Sequence, residues 1–182
     1  ADYGVPQKRR RVIFIGCPLD EKGNPSKPII YPEQTHSKDG SQQLTLTSKS
    51  AKKKWVGAGS VLLSKNDAPI KSFHTQKMID GFIRRKANNK ANGKGFGWQI
   101  IRPEEPCYTI SARYWKDGSD ALVRYSENEV RMLTHGEAAA IQSFPSDYKF
   151  CGSNKDIFMQ IGNAVPCLLA KVIAESILPF LE

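Results

Sequence analysis

The chain has few of the residues that build metal sites or disulfide frameworks. Its four cysteines, Cys17, Cys107, Cys151 and Cys167, are scattered with no C-x-x-C pair, and its three histidines, His36, His74 and His135, are equally dispersed. This distribution argues against a zinc site, and so long and cysteine-poor a chain does not read as a disulfide scaffold. No apolar run approaches the roughly 20 residues of a bilayer-spanning helix, and the N-terminus is polar and basic rather than signal-like. No internal repeat is visible. Reduced thiols, a cytoplasmic location and no membrane partner are the expectations that follow. Acidic residues are also scarce. The 18 Asp and Glu stand against 27 Lys and Arg, a formal charge of +9 that favours a polyanionic partner.

What is present is ordinary in bulk: 182 residues, 40% hydrophobic and 25% charged, enough for one domain or two small ones. The first distinctive stretch is "GVPQKRRRVIFIG", where Lys8 to Arg11 run straight into the apolar residues Val12 to Ile15. That charge run fits a solvated face, a nuclear-import tract or an anion site at a strand end. Val12 to Ile15 predict a buried strand. Residues 18–54 are loop-rich, broken by Pro18, Pro25, Pro28 and Pro32, with one short strand expected at Gln43 to Thr47. "TQKMIDGFIRRKA" places Met78, Ile79, Phe82 and Ile83 on one helical face, with Arg84, Arg85 and Lys86 near its end, where they suit the dipole.

An Asn/Gly-rich loop then feeds a strand at "GWQII", and Cys107 to Ala112 and Ala121 to Tyr125 read as two further strands around Asp117-Gly118. Thr134 and Glu137 form a capping-box pattern that opens a helix stopped at Phe144-Pro145. Ser153 and Asp156 can open a second short helix, and Pro166 a last one. The stripe Leu168, Leu169, Val172, Ile173 and Ile177 of that last helix reads by default as core packing. One strand and one long helix do not complete a layered α/β domain.

Three segments taken together carry a resemblance. "DYGVPQKRRRVIFIG", "RMLTHGEAAAIQSFPSDYKF" and "QIGNAVP" resemble, in this order, the late motifs of DNA (cytosine-5) methyltransferases of the bacterial modification type. These are the Gln-x-Arg-x-Arg motif, the Arg-x-Leu-Thr-x-x-Glu helix with Gln-x-Phe-Pro, and the Gly-Asn-x-Val motif. The insert between them looks like the family's target-recognition domain, with "NGKGFGWQ" and "TISARYWKDG" similar to its recognition-loop segments. The resemblance implies an α/β fold. This chain would be the C-terminal part of an AdoMet-dependent methyltransferase, contributing one strand and the C-terminal helix of the large domain, plus a small, irregular, β-rich recognition domain. The implied division is 1–19 (strand segment of the catalytic domain), 20–128 (target recognition), 129–160 (helical scaffold) and 161–182 (C-terminal motif and helix).

The family's chemistry flips the target cytosine out of the duplex, where its ring carbons become accessible. The Phe-x-Gly-x-Gly, Pro-Cys-Gln and Glu-Asn-Val motifs of the other half are not in this sequence. Pro106-Cys107 and Pro166-Cys167 lack the following glutamine and read as small structural thiols, so no nucleophile is assigned.

By resemblance, Arg9 and Arg11 support the active site, pointing to the flipped nucleotide, while Gln7 braces the loop and Lys8 and Arg10 face away. Asn163 and Ala164 match the motif that closes over S-adenosyl-L-methionine, a cofactor to be bound only together with the missing N-terminal half. Thr109 matches a phosphate-fixing threonine. Arg113 is the candidate base reader, able to engage guanine O6 and N7, and Lys116 and Lys94 are candidate phosphate contacts. No metal is implied. Arg131, Thr134 and Glu137 read as scaffold, and His135 as a surface residue. Trp55, Trp98 and Trp115 fit either core or DNA-facing positions.

The expected function is therefore the C-terminal portion of a DNA (cytosine-5) methyltransferase. It would bind duplex DNA and complete an active site with an N-terminal catalytic half, the chain itself being inactive. It would be a separate polypeptide or an excised piece, in a bacterial, DNA-associated setting. The alternative is a non-catalytic, sequence-specific DNA-binding module derived from such an enzyme. An unrelated RNA-binding domain is disfavoured, because neither an RNP-type aromatic strand nor a KH-like Gly-x-x-Gly clamp is evident.

Overall fold

Local signals dictate the C-terminal helices. In the computed structural model, which describes residues 1–27, 30–40, 51–94 and 98–180, Thr134 caps a short helix His135–Ile141 with a complete capping box to Glu137. Ser153 does the same with Asp156 for the helix Asn154–Asn163. Each box satisfies backbone N–H groups that the first helical turn leaves without intrahelical partners. Numbered in chain order, the elements are β1 (His36–Ser37), β2 (Lys53–Lys54), α1 (Gln76–Ala91), β3 (Val123–Ser126), β4 (Glu129–Arg131), α2 (His135–Ile141), α3 (Asn154–Asn163) and α4 (Cys167–Ile177), with three short 3₁₀ turns. β1 and β2 pair in parallel, and β3 and β4 form an antiparallel hairpin with an irregularity between Arg124 and Ser126. That hairpin straddles position 128, the expected edge of the recognition region.

The architecture is mixed, but strand is sparse: two two-stranded sheets among the described residues, and otherwise loops held by side chains. The expected strand Cys107 to Ala112 forms only an isolated bridge, Gln7 with Cys107, and Ala112 already lies in a turn. Its carbonyls are taken by arginine and backbone donors from distant segments instead of by a ladder. The expected strand at Gln43 to Thr47, and Gly95 and Gly97 of the glycine-rich loop, lie outside the described residues.

The main core gathers Ile110, Tyr114, Ala121, Leu133, Ala138, Ile141, Phe158 and Ile161. Tyr114 spans it, its hydroxyl donating to the Ala121 carbonyl at 2.6 Å and accepting from the Leu133 N–H at 2.7 Å. A second cluster joins Ile79 and Phe82 of α1 to Leu122 and Val130, with Trp98 stacked on Phe82. Met78 and Ile83, expected on the same buried face, are exposed. The triplet Arg84 to Lys86 lies in mid-helix, because α1 continues to Ala91.

The most distinctive scaffold feature is an ion pair within this core. Arg131 is 0% exposed and meets Glu137 through two hydrogen bonds, 2.7 and 2.8 Å long. Arg131 also donates to the Tyr125 hydroxyl, and Glu137 accepts from the Leu63 and Thr134 N–H groups. The pair therefore ties together β3, β4, α2 and the Leu63 segment. Burial pushes the Glu137 carboxyl up, but these donors outweigh it and hold its pKa below the usual value. The scaffold roles read for Arg131, Thr134 and Glu137 agree with this arrangement.

Two apolar segments that the sequence assigns to a core are not in one. Val12 to Ile15 forms no strand, and Val12 is 78% and Phe14 93% exposed. α4 has no buried residue. The reason is the same for both: they face each other across one cavity, and no further element among the described residues covers their other sides. The helical stretch Asn154–Phe180, taken whole, is long and apolar enough to cross a bilayer by length and composition. It is not one straight rod, because extended backbone at Ala164 and Pro166 separates α3 from α4. Helices of 10 and 11 residues rise only about 15–17 Å each, well short of the hydrocarbon thickness.

Candidate functional site

The first and last motif segments meet the Thr109-Ile110 segment of the insert at one guanidinium. Arg9 donates through Nη2 to the Gly162 carbonyl at 2.7 Å and through Nη1 to the Ile110 carbonyl at 3.1 Å. The N-terminal segment lies alongside residues 107–109. Cys107 N–H donates to the Pro6 carbonyl, Lys8 N–H to the Cys107 carbonyl, and the Thr109 hydroxyl to the Lys8 carbonyl, all at 2.8 Å. Gly162 is required here. A Cβ at this position would stand 2.6 Å from the backbone of Ser111 and Ala112, so α3 approaches the 109–113 segment as closely as only glycine allows.

Arg9, read by resemblance as pointing to the flipped nucleotide, is tied to the protein backbone in this structure. Both of its terminal nitrogens are engaged with carbonyls, and its Nε is buried with no partner among the described residues. Arg11 is exposed, donates to the Arg10 carbonyl at 2.6 Å, and lines a cavity of about 440 Å³. Ile13 and Ile15 continue that wall at alternate positions, and Leu169 and Ile173 of α4 face them. Arg10 lines the cavity as well, whereas Lys8 turns away to Glu105 and stands over the Trp55 ring. The side chain of Gln7 is fully buried, and its amide has no hydrogen-bond partner among the described residues. Its bracing is through the backbone, by the bridge to Cys107.

Asn163 ends α3, is exposed, and Ala164 follows as the C-cap. They stand at an open end. Burial pushes the Cys107 thiol up to about 12, and Cys167 is shifted in the same direction for the same reason. Cys107 is buried, whereas Cys167 is half-buried.

The recognition candidates lie on one turn-rich segment that follows Ile110. Arg113 is exposed and its side chain makes no hydrogen bond or ion pair among the described residues. Lys116 stands over the Trp115 ring, as does Lys155. Gly118 has φ +64°, and a Cβ there would meet Met132 at 2.5 Å, so the Asp117-Gly118 turn needs its glycine. Arg85 of α1 pairs with Asp117 at 3.1 Å and secures this turn from the side. His135, read as a surface residue, is half-buried with its ring edge against Phe158. Trp55 is a staple, donating from its indole to Asp2 at 3.0 Å, and Trp98 is partly buried against the second core cluster.

Composition and motif missed a basic groove of about 800 Å³, lined by Lys86, Lys90, Lys94, Arg102 and Arg124 around Trp98 and Tyr108. The four-residue spacing of the three lysines was its signal in the sequence, but the neighbouring Arg84–Lys86 triplet invited a helix-dipole reading instead.

A model of the C-5 cytosine-specific DNA methylase family matches residues 1–179, and the chain belongs to that family. Among named relatives it is 32% identical over 182 residues to the Type II methyltransferase M.DsaV of Dactylococcopsis salina, covering 100% of this chain and 46% of that protein. It is 33% identical over 185 residues to M1.ScrFI of Lactococcus lactis subsp. cremoris, covering 100% of this chain and 42% of that one. The chain thus spans a little under half the length of these relatives. In fold it is similar to the Entamoeba histolytica methyltransferase EhMeth, with a TM-score of 0.60 at 15% identity over 100% of this chain and 51% of the other. It also resembles S. pombe Dnmt2, with a TM-score of 0.52 at 13% identity over 74% and 45%.

Proposed function

We propose that this chain is the DNA-recognising, active-site-completing part of a DNA (cytosine-5) methyltransferase. It acts together with an N-terminal half that supplies the nucleophile and most of the S-adenosyl-L-methionine site. One observation carries the reading: the Arg9 guanidinium draws the Gln-x-Arg-x-Arg segment, the Thr109-Ile110 segment and the Gly-Asn motif to a single point. Segments that must serve one catalytic centre are thereby held in fixed relation, as preorganisation requires.

In this reading Arg9 positions, and Arg11 supports the active site from the cavity wall. Asn163 and Ala164 form one side of the cofactor site. S-adenosyl-L-methionine would supply the methyl group. Thr109, Lys116 and Lys94 hold phosphates of duplex DNA, and Arg113 reads a base. The division into residues 1–19, 20–128, 129–160 and 161–182 belongs to the same proposal, as does a cytoplasmic, DNA-associated setting.

The test is binding to a panel of duplexes differing at single base pairs, using the two halves assembled. Arg113→Ala is expected to lose ~1–3 kcal/mol of discrimination at one base pair. Lys116→Ala is expected to weaken all sequences alike and lower the salt slope by about one unit. Equal loss across the panel for Arg113→Ala would make it a phosphate anchor and remove the base-reading role.

A further inference from the structure

The basic groove shares only Lys94 with the site described above, and it abuts the recognition segment. Its floor segment is hydrogen-bonded directly to that segment's end: Gln99 N–H donates to the Ser119 carbonyl at 3.0 Å, and Leu122 N–H to the Gln99 carbonyl at 2.8 Å. One wall is α1, itself fixed to Asp117 by Arg85. Lys86 and Lys90 stand on successive turns of that wall, about 6 Å apart along the helix axis, and Lys94 follows just beyond the Asn92 cap. Arg124 of β3 also lines the groove. These four cations are exposed and form no ion pair among the described residues. Arg102, by contrast, is engaged with Glu105.

Small-molecule pockets are mostly apolar with a few placed polar groups. A trough with a row of cations along one wall against a single acidic lining residue, Glu104, and an aromatic floor already packed from beneath by Phe82, suits a continuous polyanion instead. Lysine is a point charge on a flexible stem. It tracks a phosphate backbone without demanding a particular base.

Resting on the proposed DNA-recognition role, we infer that this groove binds the phosphate backbone of duplex DNA flanking the recognised site, with Lys86, Lys90, Lys94 and Arg124 as the contacts. The duplex read by residues 112–120 continues along α1, and its flank contributes affinity but no sequence choice.

The test uses this 182-residue chain and mixed-sequence duplexes by fluorescence anisotropy across a salt series. One duplex is long enough only for the recognition segment, and the other is extended by a helical turn on each side. The wild-type chain is expected to bind the longer duplex more tightly and with a steeper salt dependence. The combined Lys86→Gln, Lys90→Gln, Lys94→Gln variant should lose that length effect, and its slope should fall by roughly 2–3 units, about 0.9 per phosphate contact. The matching Lys→Arg combination retains the charges and should keep the slope, while circular dichroism checks that both variants fold. A wild-type chain that binds no duplex at low salt would overturn the DNA-recognition reading and this inference with it. Wild-type binding with an unchanged slope in the glutamine variant would overturn the groove alone. So would tighter binding to single-stranded DNA or RNA of equal length.

Discussion

At the scale of single residues, the molecule depends on two compact devices, the Arg131–Glu137 pair and the close approach at Gly162. Glu137→Gln would leave the Arg131 charge buried without its counter-charge, a loss of about 3–5 kcal/mol, measurable by urea denaturation. A near-neutral result would show the pair to be dispensable. The pH dependence has a definite sign. The Glu137 pKa is lower folded than unfolded, so its contribution is complete above the ordinary value of 4.5 and is lost as pH falls through the folded value. Acid unfolding that begins below pH 4.5 should become shallower in Glu137→Gln. Gly162→Ala forces a methyl into the Ser111–Ala112 backbone and should destabilise by about 1–3 kcal/mol, with the disturbance centred on residues 109–113 in hydrogen exchange. Unchanged protection there would contradict the close-approach argument. The Thr134–Glu137 box was legible in the sequence because its partners lie three residues apart. The partners of Arg9 lie 101 and 153 residues away, and no local pattern reveals them.

At the scale of elements, helices were legible, and of the expected strands only Ala121 to Tyr125 coincides with an observed one, β3. Capping boxes and Pro166 mark α2, α3 and α4 by local chemistry. The apolar runs at Val12 to Ile15 and Cys107 to Ala112 have strand composition, but a strand exists only where another strand pairs with it. Residues 107–110 instead satisfy their backbone through Lys8, Pro6 and Arg9. Val12 to Phe14 and α4 leave an exposed apolar seam, the kind of surface that marks an interaction site or an aggregation liability. The isolated chain is therefore expected to self-associate at low salt, and Val12→Ser with Phe14→Ser should reduce this. A stable monomer in sedimentation velocity across a wide concentration range would contradict it.

At the scale of the whole molecule, net charge and motif order together pointed to DNA, and the family match agrees with that direction. The basic groove was hidden because its walls come from residues 86–94, 98–104, 108 and 124, which only the fold brings together. The central claim is that this chain recognises DNA and completes an active site whose nucleophile lies in another half. It is tested most directly by transfer of a labelled methyl group from S-adenosyl-L-methionine to cytosine C5 in duplex DNA. The purified chain is measured alone and after mixing with an N-terminal half carrying the Phe-x-Gly-x-Gly and Pro-Cys-Gln motifs. The account predicts no transfer by the chain alone, transfer by the mixture, and loss of that transfer in Arg11→Ala with sequence choice unchanged. Robust methylation by the chain alone, or an inert mixture in which the chain still binds DNA, would contradict it.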